Sequence, residues 1–422
     1  MNPFEYRNGR LHVESIPVDQ LVAAYGSPCY VYSKRAILDA WDAFRQAAAG
    51  RDVLVCFALK ANSNLAIIEL LSRAGAGFDI VSGGELQRVI AAGGDPGRTV
   101  FSGVGKTAAE MHDALRAGVR CFNVESAAEL ERLDAVAGSL AMKAPVSIRV
   151  NPDVDAGTHP YISTGLRENK FGIAHEDALE VYRRAAQLPH LDVVGIDCHI
   201  GSQITTLEPF LAAFDKVLEL VDQLHEAGIP LSHIDLGGGL GIRYRDETPP
   251  RPDELLGAVF DRLKRHPRGD QYQLMFEFGR ALVGNAGALL TRVEYLKRNG
   301  DRHFAIVDCA MNDLMRPSLY DAWHQVLPAQ PRSGNALSYD IVGPVCESGD
   351  WLARERDLVL QEGDILALMS AGAYGMSMSS NYNTRPRPPE VLVEGDRHWL
   401  VRERESIESL FALERRLPPD AR

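Results

Sequence analysis

The sequence predicts an α/β protein: a (β/α)8 TIM barrel, then a mostly antiparallel β domain that the N-terminal strand joins. Two observations carry this. Between residues 50 and 280, short apolar strands alternate with amphipathic helices eight times. Eight alternations in about 230 residues match a closed parallel barrel in number and length. After residue 285 the texture changes to short strands separated by Gly, Pro, Asn and Asp turns. An open doubly wound sheet is the rival arrangement, but no GxGxxG follows the first strand. The expected boundaries are 36–285 for the barrel, with 1–35 and 286–422 for the β domain.

Each element has its own reason. The first barrel strand, 53–58, is the apolar run Val53-Leu54-Val55-Cys56-Phe57-Ala58. Asn62, Ser63 and Asn64 then offer caps for a helix from Leu65 to Arg73. Further strands are expected at 77–80, 99–101, 120–124, 146–150, 193–199, 233–236 and 274–278. Helical patterns lie between them at 84–92, 108–117, 127–137, 176–187, 209–227 and 252–265. Beyond the barrel, 288–296, 304–307, 339–342, 365–367 and 391–393 read as strands. The piece 29–32 is also strand-like and is expected to join that later domain.

Composition narrows the class. The 422 residues exceed one ordinary domain, and 45% hydrophobic content supplies ample core. No apolar run of about 18 residues exists, so no membrane span is expected. The start, Met1-Asn2-Pro3-Phe4-Glu5-Tyr6-Arg7, lacks the basic and apolar regions of a signal peptide. A net charge of −12 disfavours nucleic acid as a partner. The six cysteines are scattered without CxxC, which fits free thiols in a reducing cytoplasm better than disulfides or a metal site.

Parallel barrels place their chemistry at the carboxyl ends of strands. Those positions hold Lys60, which ends the first strand, Asp79, which ends the second, and His199, which ends the sixth. Gly237-Gly238-Gly239-Leu240-Gly241 follows the seventh, and Glu277-Phe278-Gly279-Arg280 closes the eighth. Plainer readings exist for each. A lysine at a rim can snorkel into water, a lone histidine is commonly a satisfied core residue, and Glu277 and Arg280 could simply pair. One ligand satisfies the whole set, pyridoxal 5′-phosphate (PLP). Lys60 would form its Schiff base and the glycine loop, with Ser202, would hold its phosphate through N–H and O–H donors. His199 would lie on the ring, and Glu277 would accept from the pyridine N–H.

Several runs carry a family resemblance. They are Phe57-Ala58-Leu59-Lys60-Ala61-Asn62-Ser63-Asn64, Cys198-His199-Ile200-Gly201-Ser202-Gln203, Asp235-Leu236-Gly237-Gly238-Gly239 and Glu277-Phe278-Gly279-Arg280. Arg316-Pro317-Ser318-Leu319-Tyr320, Cys346-Glu347-Ser348-Gly349-Asp350 and Ala371-Gly372-Ala373-Tyr374-Gly375 continue it, in order, over essentially the whole chain. The set resembles the diaminopimelate decarboxylase family, within the barrel-type (alanine-racemase-fold) PLP decarboxylases.

The resemblance implies roles residue by residue. Lys60 matches the cofactor lysine, and His199 the ring-stacking histidine. Gly239 and the segment Glu277, Phe278, Gly279 and Arg280 match the groups around the phosphate and ring nitrogen, and Arg280 also reaches substrate in the family. Arg316 and Tyr320 match groups that hold the distal carboxylate, and Glu347 the acid that reads the distal amino group. Cys346 matches a thiol that assists protonation, and Tyr374 a contact to cofactor and substrate. Cys346 and Glu347 would enter from the neighbouring subunit of a homodimer. Phe278 departs from the family's usual proline, where only backbone groups are expected to act. Leu59 for the more usual valine is a conservative core change.

The implied reaction is decarboxylation of meso-2,6-diaminopimelate to L-lysine. A racemase of the same fold would place arginine, not Glu277, at the ring nitrogen. An ornithine or arginine decarboxylase would not need Arg316 and Tyr320 for a distal carboxylate. A non-catalytic relative would be expected to lose Lys60 or Cys346.

Overall fold

The computed structural model describes residues 3–157, 164–165, 169–419 and 421. The chain divides into two compact units, one of Ile37–Gly284 and one of Met1–Ala36 with Asn285–Arg422.

The first unit is a closed parallel barrel. Its eight strands in chain order are Val53–Ala58, Gly77–Ile80, Thr99–Phe101, Cys121–Val124, Ala144–Asn151, Leu191–Asp197, His233–Asp235 and Gln273–Phe278. Each pairs in parallel with the next, and the eighth closes on the first in the register Phe276↔Val55. A two-residue strand, Ile173–Ala174, adds an edge to the fifth.

Polar caps start the helices where the strands end. Asn64 accepts from the Ala66 N–H to begin Leu65–Arg73, and Ser82 accepts from the Glu85 N–H to begin Gly83–Ala91. Thr107 and Glu110 form a reciprocal capping box on Ala108–Ala117, and Ser126 caps Ala127–Ser139. Apolar stripes such as Ile67, Ile68 and Leu71 then bury against the outside of the barrel.

Inside the barrel, side chains alternate along each strand with period two. Leu54, Cys56, Val100, Cys121 and Met275 form an apolar plug nearer the amino ends. Two residues further along, Val100, Cys121 and Met275 give way to Ser102, Asn123 and Glu277. Ser102 and Asn123 both reach Glu277, although their strands are not neighbours of the eighth. These contacts must therefore cross the interior. The barrel thus carries an apolar floor and a polar ceiling, which places the chemistry at the carboxyl ends.

The second unit is mostly antiparallel. The long strand Gly287–Asn299 pairs antiparallel with Arg302–Val307, with Ile365–Leu368 and with the N-terminal strand Cys29–Ser33. Cys29–Ser33 lies between that strand and Glu390–Glu394, which it meets in parallel. Leu337–Val342 is the other parallel partner, beside Arg302–Val307. Two charged strands, Trp351–Leu358 and Arg397–Arg402, form the two edges, and neither is evident from the sequence. A three-stranded sheet, Phe4–Arg7, Arg10–Val13 and Ile16–Pro17, also belongs here. Its Leu11, Val13 and Ile16 share a core with Val31, Leu290 and Val391. All six cysteines are unpaired, and among the described residues no helix is long and apolar enough to cross a membrane.

Candidate active site

The barrel gathers its predicted residues at one end, with two corrections of position. Lys60 does not end the first strand; it sits in the 3-10 turn Leu59–Ala61 that follows. His199 does not end the sixth strand, which stops at Asp197. In both cases the chain leaves the ladder early, and the side chain is presented by the loop above the barrel mouth.

Lys60 Nζ donates to Asp79 Oδ2 at 2.7 Å. The lysine side chain keeps 34% exposure while Asp79 is fully buried, so the amine faces an opening and its counter-ion does not. Asp79 Oδ1 is buried without a partner among the described residues.

The glycine loop is built for close approach. A Cβ on Gly238 would sit 2.0 Å from the Glu277 carbonyl oxygen, and one on Gly239 would sit 2.4 Å from that of Gly201. Gly239 also has φ +105, a conformation that favours glycine. The bare loop thus passes directly over the end of the eighth strand. The Gly238 N–H donates to His199 Nδ1 at 3.0 Å. That bond makes Nδ1 an acceptor and puts the ring proton of a neutral His199 on Nε2. Burial first, then the nearby Arg149 and Lys60 charges, holds the His199 pKa well below the ordinary histidine value. Ser202 Oγ accepts from Arg280 at 2.9 Å, and the Tyr244 hydroxyl accepts from Arg280 at 2.6 Å. Gly279 lets the chain leaving the eighth strand pass close to the turn after the first, since a Cβ there would lie 2.8 Å from that of Ala61. Phe278 points away from this end; its ring is buried and stacks on Phe44 at 4.3 Å and on Phe276 at 5.5 Å.

Beneath the loop lies a buried acid cluster. Carboxylate oxygens of Asp197, Asp235 and Glu277 all fall within 4.8 Å of one another. Burial, reinforced by neighbouring carboxylates, pushes Asp197 and Glu277 well above the usual range and Asp235 up to about 7. Arg149 is the cation of this layer. It donates to Glu125 at 2.9 Å and to the His199 carbonyl at 3.3 Å, and lies 4.0 Å from Asp197.

In the β unit, Arg316 opens the short helix Arg316–Tyr320 and is buried. It donates to His324 Nε2 at 2.9 Å, while His324 Nδ1 bonds the Met369 carbonyl at 2.7 Å. Ser318 of the same helix donates to the Gly349 carbonyl, which ties it to the loop carrying Cys346 and Glu347. Both of those residues are exposed, and the Tyr382 hydroxyl donates to Glu347. Tyr320 and Tyr374 are half-buried, and Tyr374 holds φ +56, unusual for a residue with a side chain.

The comparisons with known proteins agree with this arrangement. Residues 34–284 match the family model described as pyridoxal-dependent decarboxylase, pyridoxal binding domain. The chain is 57% identical over 419 residues to the diaminopimelate decarboxylase of Vibrio cholerae, covering 99% of this chain and 100% of the relative. It is 58% identical to that of Pseudomonas aeruginosa, with 99% and 100% covered.

The chain belongs to the diaminopimelate decarboxylase family.

The crystal structure of diaminopimelate decarboxylase from Helicobacter pylori complexed with L-lysine superposes with TM-score 0.90 at 42% identity, covering 94% of this chain and 99% of that one. As a member of this family the protein takes PLP, and its donor set fits that group. A bare-backbone cradle, a half-exposed lysine and buried carboxylates converge at one barrel end. Sequence reasoning missed Ser102, Asn123, Arg149, Tyr244 and His324. The first three face the interior in the same alternation as Glu277, so the period of their strands is the signal that could have found them. Tyr244 lies only three residues past the glycine loop.

Proposed function

We propose that this member of the family converts meso-2,6-diaminopimelate to L-lysine and carbon dioxide, with Lys60 as the cofactor lysine. The observation that supports the site most directly is Lys60, His199, the glycine loop and Glu277 meeting at one mouth of the barrel. Bound PLP supplies the electron sink for the charge left on Cα when carbon dioxide departs.

The remaining chemistry belongs to the chain. Lys60 is the residue that would hold PLP covalently through its amine. Asp79 holds Nζ in position from below. Gly239 would present its backbone N–H to the phosphate, the Gly237 and Gly238 N–H groups being held by Asp235 and His199, and Ser202 with Arg280 would add donors. His199, neutral and fixed by Gly238, would pack on the ring without adding charge. Glu277 would accept at the ring nitrogen.

At the far end of the substrate, Arg316 and Tyr320 hold the distal carboxylate and Glu347 the distal ammonium. Their binding energy orients the reacting end. Tyr374 closes on cofactor and substrate, and Cys346 assists proton delivery to Cα. The exposure of Cys346 and Glu347 supports a homodimer in which each subunit lends these two residues to its neighbour. Six unpaired cysteines support a cytoplasmic location.

The test is substrate discrimination. The PLP-loaded protein should release carbon dioxide from diaminopimelate and accumulate L-lysine, with little release from lysine or ornithine. Arg316→Met should cost about 2–5 kcal/mol in kcat/KM for diaminopimelate, the range for breaking a buried charge pair. Lysine, lacking that carboxylate, should bind the variant nearly as well as the wild type. Equal losses for both ligands would remove Arg316 from the distal site.

A further inference from the structure

Glu277 is bonded in a lopsided way. Asn123 Nδ2 donates to its Oε1 at 3.1 Å and Ser102 Oγ donates to the same oxygen at 3.2 Å. Asn123 Nδ2 also lies 3.1 Å from Ser102 Oγ, so the three groups close a triangle. Among the described residues, Oε2 takes no hydrogen bond. We propose that Asn123 and Ser102 are positioning residues that hold Glu277 as a carboxylate by one oxygen and leave the other to the cofactor's ring nitrogen. This rests on the reading of Glu277 as the partner of that nitrogen.

With Glu277 ionised, donation runs one way, because a carboxylate only accepts. An amide nitrogen has protons to give and none to accept. Asn123 Oδ1 accepts from the Cys121 thiol at 3.7 Å, an arrangement that accords with its nitrogen facing Glu277. The amide is also rigidly mounted. Lys106 Nζ, fully buried, donates to the Asn123 carbonyl at 2.7 Å, to the Gly103 carbonyl at 2.7 Å and to Glu129 at 2.6 Å. Lys106 thereby braces the ends of the third and fourth strands, which carry the two donors.

The surroundings make such donors necessary. Glu277 faces Asp79 from the second strand, Asp197 from the sixth and Asp235 from the seventh, with Lys60 as the nearer cation. Arg149 of the fifth strand lies beside Asp197. Burial and three carboxylates favour a proton on Glu277. Two donors on Oε1 oppose this, because hydrogen bonds to the ionised form favour it. A carboxyl that kept its own proton would leave the ring nitrogen without one, and the ring would drain charge from Cα poorly.

The experiment loads the full-length protein with PLP labelled with ¹⁵N at the ring and follows that signal against pH. Wild type, Asn123→Leu, Ser102→Ala, Ser102→Thr and Glu277→Gln are compared, with kcat and KM measured in parallel. Wild type should show a protonated ring nitrogen through neutral pH. Asn123→Leu and Ser102→Ala should shift the signal towards the unprotonated form and lower kcat on the order of tenfold or more, the scale of a lost charged hydrogen bond. KM should stay within about twofold, since neither residue is placed on the substrate. Ser102→Thr, which keeps the hydroxyl, should behave as wild type. An unchanged signal in the loaded Ser102→Ala and Asn123→Leu proteins, with Glu277→Gln shifted, would overturn the positioning role alone. An unchanged signal in Glu277→Gln would overturn the reading of Glu277 itself. Ser102→Ala decides the matter if Asn123→Leu does not fold.

Discussion

His233 shows how tightly the barrel floor is specified. It stands opposite Gly195 in the ladder between the sixth and seventh strands, and a Cβ on Gly195 would lie 2.1 Å from its Nε2. Only glycine leaves room for the ring. Burial, then the Arg120 charge, lowers the His233 pKa to about 4. The folded protein therefore keeps this ring neutral where an unfolded chain, with a histidine value near 6.5, takes up a proton. Above pH 6.5 both states are neutral and nothing is lost. As pH falls from 6.5 towards 4, stability should decline by about 1.4 kcal/mol per unit from this group. Urea unfolding across that interval should show a shallower decline in His233→Gln than in wild type, and parallel lines would refute the assignment. Residues of this kind were hidden in the sequence. Lys60, His199 and Glu277 were legible because strand ends announce a parallel barrel's chemistry. Ser102, Asn123 and Arg149 were not, because in strands buried on both faces only the period of two, counted back from Glu277, separates the inner face from the outer.

At the scale of elements, the glycine loop after the seventh strand carries a sharp expectation. Gly239→Ala would force a side chain into φ +105 and against the Gly201 carbonyl. Strain of this kind costs about 1–3 kcal/mol, and the loop can relieve it only by lifting off the barrel end. PLP affinity should fall by tenfold or more while the far-ultraviolet circular dichroism of the barrel stays unchanged. Unaltered affinity would mean that the loop does not form the phosphate cradle. Helices were read well because Asn64, Ser82, Thr107 and Ser126 mark their starts by chemistry as well as pattern. Strands Trp351–Leu358 and Arg397–Arg402 escaped notice for the opposite reason. Runs such as Arg354-Glu355-Arg356-Asp357 look like loop or helix surface, yet charge is what keeps an exposed edge from pairing with another chain. Their place at the two edges of the sheet accounts for their composition.

At the scale of the molecule, the proposed homodimer makes a quantitative prediction. Lys60→Ala and Cys346→Ala chains should each form crippled dimers. If each active site takes Lys60 from one subunit and Cys346 from the other, a mixed dimer holds one intact site. Random exchange of equal amounts should restore roughly a quarter of wild-type activity per chain, from twofold symmetry. Tagged chains that exchange without any gain would show that Cys346 serves its own subunit. The two-part architecture was legible in the change of texture near residue 285, because alternating helices and turn-rich strands differ in composition as well as period. The N-terminal strand has a further meaning for a growing chain. Cys29–Ser33 is complete roughly 360 residues before one of its flanking partners, Glu390–Glu394, is made. At about 5–20 residues per second, that is a delay of roughly 20–70 s on the ribosome. The barrel can close in the interval, while this apolar strand waits for its second neighbour.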